Sequence, residues 1–268
     1  MKVRIFLVVM VATLFAAPLA FADGYNLISW PLIPHDTTIQ AAFADSMGTG
    51  CQLTGGVGAP LSDKVLSYVG GSYVTSWYRT TTKMWIGTVT NIEPDKAYWV
   101  IILGSHPAVT LTMTGQVATE DRVIPISPGL SYNFVGTCFP VAVDLDDTGL
   151  LASGFTGGVG APLSDKILRY EGGYQTVWYR TTTSAWIGSF TQLEPGKGYI
   201  INVIAGHSFT DDEWVYPVPG SSKGAKLEST EKIIKVPGKT SVTTKRLQTR
   251  TPTTGKKIGD ITEVKKVR

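Results

Sequence analysis

Thr54-Gly-Gly-Val-Gly-Ala-Pro-Leu-Ser-Asp-Lys64 recurs without change as Thr156 to Lys166, 102 residues further along the chain. The register then shortens by one residue. Trp77-Tyr78-Arg79-Thr80-Thr81-Thr82 matches Trp178-Tyr179-Arg180-Thr181-Thr182-Thr183, and Trp85-Ile86-Gly87 matches Trp186-Ile187-Gly188. Glu93-Pro94, Lys96, Tyr98 and His106 match Glu194-Pro195, Lys197, Tyr199 and His207. The copies also open alike, with Gly24-Tyr25-Asn26-Leu27-Ile28 answered by Ser131-Tyr132-Asn133-Phe134-Val135. Repetition at a fixed spacing dictates architecture before any local propensity does, because each copy is one structural unit. The chain is a tandem duplication.

Within each copy the residues favour strands. Runs rich in Val, Ile, Thr, Tyr and Trp at 25–32, 65–68, 73–79, 84–89, 98–103 and 109–117 are broken at close spacing by Gly, Pro, Asn and Asp, as strands and turns are. Gly70-Gly71 and Gly172-Gly173 sit between two such runs, where a tight hairpin needs positive φ. One short helix per copy is expected. The first lies near 38–46 with Thr37 or Thr38 as cap, and the second lies near 144–153 with Asp146 or Asp147 as cap, since short polar side chains satisfy the first free N–H groups of a helix. The predicted fold is all-β: two tandem homologous small barrel-like or sandwich-like modules, followed by a largely disordered basic C-terminal tail.

A Tyr-Asn-Leu-Ile-Ser-Trp-Pro-Leu strand at Tyr25 to Leu32, a short helix, a Trp-Tyr hairpin and Leu-Glu-Pro-Gly-Lys-Gly-Tyr-Ile-Ile at Leu193 to Ile201 together resemble a tandem repeat of large secreted and surface proteins of bacteria and archaea. The resemblance covers about residues 24–117 and 131–219 and leaves out the tail. It implies a non-catalytic extracellular module. The first copy departs from the pattern, with Asp95 and Ala97 where the second has Gly196 and Gly198, so the turn chemistry of the two copies is expected to differ.

Lys2 and Arg4, an apolar run from Ile5 to Ala17, and Ala20-Phe21-Ala22 before Asp23 form the pattern of a secretory signal. The run is shorter than the roughly 18–20 residues that span a bilayer. The expected organisation is a signal peptide at 1–22, β module 1 at 23–118, a linker at 119–130, β module 2 at 131–219 and a basic tail at 220–268. Charge divides along the same lines. From Asp23 to Pro219 there are 9 Lys and Arg against 17 Asp and Glu, a net −8, and from Gly220 to Arg268 there are 13 against 4, a net +9. The tail has no aromatics and too little apolar content to fold alone, although Ile233-Ile234-Lys235-Val236 and Ile258 to Val267 keep strand-like positions.

Catalytic signatures are missing. No Gly-x-Ser-x-Gly, His-Glu-x-x-His or Cys/His metal spacing occurs, and each would be needed for its chemistry; no enzyme, cofactor or metal site is expected. The repeated glycines Gly55, Gly56, Gly58 and Gly157, Gly158, Gly160 invite a phosphate-cradling reading. They lack the Gly-Lys-Ser/Thr ending and precede a strand, so a rigid surface loop is expected and no nucleotide. The loops' identity points to a recent duplication or to one partner met twice. Asp144-Leu-Asp146-Asp147-Thr-Gly149 has part of a calcium-loop pattern, but Phe155 stands at the twelfth place where Glu belongs. Carboxylates at a helix N-terminus are the simpler account.

Trp77, Tyr78, Arg79 and Trp178, Tyr179, Arg180 are the candidate ligand-binding residues. Exposed aromatics beside Arg and hydroxyls suit stacking on sugar rings. The competing expectation, which is favoured, is that these rings fill two small cores, where aromatics supply large buried area. Cys51 and Cys138, in a chain that reads as secreted, suggest one disulfide stapling the modules together. Free thiols and a bridge between subunits are the alternatives.

The function expected from sequence is a non-catalytic structural or adhesive protein, secreted to the extracellular space or cell surface, with the periplasm as an alternative. The expected partners are further copies of itself, in an oligomer or filament assembled through the basic tail, or anionic envelope and matrix polymers. The alternative function is a carbohydrate-binding module for extracellular polysaccharide.

Overall fold

Two-sided packing shapes the strands. In β2 (Gly24–Ser29) Tyr25 is exposed and Leu27 to Ser29 are buried, and in β6 (Ala97–Ile102) every residue but Ile101 is buried, because one face enters the first core and the other a second apolar cluster. The computed structural model describes residues 19–20, 23–45, 50–104, 109–129 and 131–220, together with the backbone of 229–234, 242–247 and 262–264. The protein is mostly β-sheet, with a single short α-helix among the described residues.

With β3 (Lys64–Val69), β4 (Ser72–Arg79) and β5 (Met84–Gly87), these strands build a five-stranded antiparallel sheet in the order β2-β6-β3-β4-β5. The second copy supplies β9 (Ser131–Gly136), β11 (Lys166–Tyr170), β12 (Tyr174–Arg180), β13 (Ala185–Gly188) and β15 (Gly198–Val203), in the order β9-β15-β11-β12-β13. Repeat-equivalent strands thus hold equivalent places. The expected hairpin turn forms at Gly70 and Gly71, with φ of +57° and +85°, values a side chain would strain.

Short pairs complete each copy. β1 (Leu19–Ala20) pairs with β7 (Thr110–Leu111), β8 (Arg122–Pro125) with β16 (Glu213–Tyr216), and β10 (Val143–Asp144) with β14 (Gln192–Leu193). The stretch read as a linker therefore contributes a strand, and it buries Ile124 and Ile126 in the second core. Most of the expected signal peptide lies outside the described residues; its last part, Leu19–Ala20, is paired. Two cores result. One packs Trp30, Phe43, Ile92, Val100 and Leu111, and the other packs Phe139, Leu145, Ile167, Tyr199 and Trp214.

The helices differ between the copies. α1 (Ile39–Ala42) starts where expected, with Thr38 accepting the Ala41 N–H. Its expected counterpart is only a 3₁₀ turn at Leu145–Asp147, with no side-chain cap. Of the two expected caps, Asp146 instead accepts from the Trp186 indole N–H, and the neighbouring Asp144 accepts from Gln192. Gly149, at φ +74°, then turns the chain out of helical geometry.

Residues up to Pro219 and residues from Gly220 onward fall into two compact units. The second unit, expected to be largely disordered, carries β17 (Ser229–Ile234), β18 (Val242–Leu247) and β19 (Thr262–Val264), paired antiparallel in that order. The rest of the tail lies outside the described residues.

Candidate functional site

The copies meet through reciprocal contacts. The Ser29 N–H donates to the Gly196 carbonyl at 3.0 Å, and the repeat-equivalent Gly136 N–H donates to the Asp95 carbonyl at 2.8 Å. Bridges join Ile28 to Lys197 and, in the matching sense, Val135 to Lys96. Each patch meets the equivalent patch of the other copy, as in an isologous two-fold dimer, here within one chain. Leu27, Ala97, Trp99 and Ile200 form a third buried cluster at this joint, with Leu66, Phe134, Leu168 and Tyr170 packed against it.

Near-symmetry explains the departure at Asp95 and Ala97. A Cβ on Gly198 would lie 2.8 Å from the Cβ of Ala97 and 2.8 Å from the Ile28 carbonyl oxygen. Equivalent positions face each other, so only one can carry a side chain. Gly196 holds φ +79°, whereas Asp95 is free of that constraint and takes on a polar task. Its carboxylate accepts two bonds from Arg122, at 3.0 and 2.5 Å, and one from the Cys138 thiol at 2.6 Å.

An aromatic band crosses the joint. On one side Trp99 meets Tyr25, Tyr170 and Tyr174, with ring centroids 5.8, 5.1 and 6.4 Å away. On the other, Phe134 meets Tyr68 and Tyr73 at 5.0 and 5.9 Å. Strand alternation sends these residues to one face. Burial, followed by the nearby Tyr73, Tyr170 and Tyr132 phenols, raises the Tyr174 hydroxyl above its ordinary value, so tyrosines of both copies share this surface. Four of them stay half out: Tyr25 at 56%, Tyr73 at 50%, Tyr132 at 53% and Tyr174 at 57% exposure. These are two repeat-equivalent pairs. Aromatics that cover apolar neighbours yet keep a face and a hydroxyl in water are suited to recognition.

Beside the band, a cavity of about 630 Å³ is lined by Tyr68, Tyr132 and Phe134, by Ser67 and Ser131, and by Glu93, Asp95 and Lys96. Its volume falls within the roughly 300–1,000 Å³ typical of small-ligand sites.

The hairpin residues named from sequence lie in or against the two cores. Trp77, Tyr78 and Trp178 are buried and Tyr179 packs against the second core. Arg79 and Arg180 cover Trp77 and Trp178, their guanidinium carbons 5.3 and 5.2 Å from the ring centroids. Arg79, Tyr179 and Arg180 are half-buried.

The glycine loops serve packing. A Cβ on Gly55 would meet the Tyr78 carbonyl oxygen at 2.6 Å and one on Gly56 the Leu61 oxygen at 2.5 Å; Gly157 and Gly158 are placed likewise against Tyr179 and Leu163. Gly58 and Gly160 precede single 3₁₀ turns in extended conformation. Asp63 and Asp165 pin the loops by accepting the Thr54 and Leu103, or Thr156 and Ile204, N–H groups. The loops do expose Val57, Leu61, Val159 and Leu163.

The expected disulfide is absent, and both cysteines are free. Cys51 packs against the first core and Cys138 is buried in the second, so the two sulfurs occupy different cores. Burial pushes the Cys51 thiol up to about 12, and burial, then the adjoining Asp95 carboxylate, raises Cys138 further. Both stay protonated at neutral pH.

Sequence reasoning passed over the tyrosine band because its tyrosines are scattered among six strands. The available signal was that Tyr25, Tyr68 and Tyr73 recur as Tyr132, Tyr170 and Tyr174. No protein-family model matches the chain, and neither curated proteins nor solved structures yield a match.

Proposed function

We propose that this chain is a non-catalytic extracellular adhesive protein, built of two homologous β-modules, that holds polysaccharide on the tyrosine band at their joint. The observation that carries this reading is the gathering of four half-exposed tyrosines, from equivalent positions of both copies, on one surface. Sugar rings present C–H faces and peripheral hydroxyls. Tyrosine answers with a ring to stack on and a hydroxyl to bond, at low conformational cost. The secretory pattern at 1–22 supports an extracellular setting.

Pull-down on insoluble polysaccharides tests the reading. The wild-type chain should be retained, and Tyr73→Ala with Tyr174→Ala should reduce retention at least about tenfold, the loss of two stacking contacts at roughly 1 kcal/mol each. Equal retention of that variant contradicts it. Self-assembly is a second reading, favoured by the opposed charges of body and tail, since unlike charges steer association. Light scattering of the chain cut after Pro219 tests it: if the tail drives assembly, the truncated chain should be monomeric where the full chain is larger.

A further inference from the structure

The joint is nearly two-fold, but its two sides are finished differently. β3 pairs with β6 only over Lys64–Leu66, and β11 pairs with β15 only over Lys166–Leu168. Past those residues each strand splays away from the turn that precedes its neighbour, at 93–97 in the first copy and 194–198 in the second. The fold leaves a gap there twice.

In the second copy, ion pairs bridge the gap. Arg169 donates to Glu194 at 2.7 Å, lies 3.5 Å from Glu171, and covers the Phe190 ring at 4.6 Å. Glu171 in turn takes Lys197 at 3.0 Å. The first copy keeps the turn residues, Glu93 and Lys96, but has Ser67 in place of Arg169, Val69 in place of Glu171 and Val89 in place of Phe190. The bridge cannot form, and Lys96 folds back onto Glu93 at 2.7 Å. The gap here is the 630 Å³ cavity, and the strand-bearing stretch 122–127 adds Ile124, Pro125 and Ser127 as an outer wall.

We propose that this open side of the joint is a binding pocket for one neutral sugar ring, the residue that anchors a polysaccharide chain lying along the tyrosine band. The proposal rests on the polysaccharide reading above and adds where the chain is gripped. Tyr68, Tyr132 and Phe134 offer a wall for a C–H face; Ser67, Ser127, Ser131 and the Glu93 carboxylate offer partners for hydroxyls. The charges at the pocket are already paired, Glu93 with Lys96 and Asp95 with Arg122, and the body around it carries a net −8, so a neutral ring fits and an anionic one meets a repelling field. The equivalent gap of the second copy is bridged by Arg169, Glu171 and Lys197, so one chain is gripped at the joint per protein molecule.

The experiment is calorimetric titration of the full chain with neutral hexaoses of glucose, xylose and N-acetylglucosamine and with a uronic-acid hexaose, alongside the polysaccharide pull-down. Ser67→Arg combined with Val69→Glu places the second copy's bridge in the first. Wild type should bind a neutral hexaose with one site per chain, and the bridged variant should bind at least about tenfold more weakly while keeping its thermal midpoint. Should that variant misfold, Tyr132→Ala, which removes an exposed ring from the pocket wall, must weaken binding to the same degree. Hexaose binding that survives both changes but is lost in Tyr73→Ala with Tyr174→Ala overturns the pocket and leaves the band standing. Preference for the uronic-acid hexaose, or a stoichiometry of two, also overturns the pocket. No retention on any polysaccharide and no hexaose binding overturns the band and the pocket together.

Discussion

The two sides of the joint show how one backbone plan carries two outcomes. At 166–171 the strand end is tied to its neighbouring turn by Arg169, Glu171, Glu194 and Lys197. At 64–69 the same splay is left open because Ser67 and Val69 cannot reach. Strand order, turn position and the joint itself are common to both sides. Differences at three equivalent positions, Ser67, Val69 and Val89 against Arg169, Glu171 and Phe190, accompany the change from a closed seam to a cavity within one shared strand order.

That comparison can be broken hardest at the cluster the two sides have in common. Trp99 is almost fully buried there and touches rings from both copies. Trp99→Ala should cost about 3–5 kcal/mol, read as a lower urea midpoint, and it should expose tyrosines of both copies together. Loss from one copy alone would show that the joint is not a shared core.

Next comes the pair that faces across the axis. Gly198→Ala places two methyl groups 2.8 Å apart and should cost about 1–3 kcal/mol, as overpacking does. Adding Ala97→Gly should recover part of that loss, which a double-mutant cycle measures. A merely additive result would mean that the two positions do not meet.

A smaller effect concerns pH. The Lys197 hydrogen bond, aided by Arg169, holds the Glu171 carboxyl below its ordinary value of 4.5. A carboxyl whose pKa falls on folding stabilises the protein above its unfolded pKa, and that contribution is lost as pH falls through the folded value. Stability should therefore decline on acidification below about pH 4.5, and Glu171→Gln should flatten that limb slightly, because the pair is solvent-screened. An unchanged acid limb would show that the bridge carries no electrostatic weight. The least perturbing test is a thiol count: neither cysteine should react with iodoacetamide at neutral pH in the native protein, and both should react once it is unfolded.

Much of the fold was legible in the repeat. The strands, the Gly70-Gly71 hairpin and the Thr38 cap follow from alternation, positive φ and a side-chain acceptor, all of which are local properties. The second helix was misjudged in part because Asp146, one of its expected caps, is taken by Trp186 from a distant strand. The disulfide was misjudged because spacing says nothing about which core a cysteine enters. The hairpin rings Trp77, Tyr78 and Trp178 lie buried, and the half-exposed tyrosines escaped notice because their grouping depends on the reciprocal docking of Ser29 with Gly196 and Gly136 with Asp95. No single strand carries that information. The departure at Asp95 and Ala97 was visible, and the joint supplies its reason.

The most direct test is NMR of the tyrosine rings during titration with a neutral hexaose that the protein retains as polymer. The account predicts shifts concentrated at Tyr68, Tyr73, Tyr132 and Tyr174, with Tyr78 and Tyr179 unmoved. Shifts centred on Tyr78 and Tyr179, or none at the joint, would contradict it.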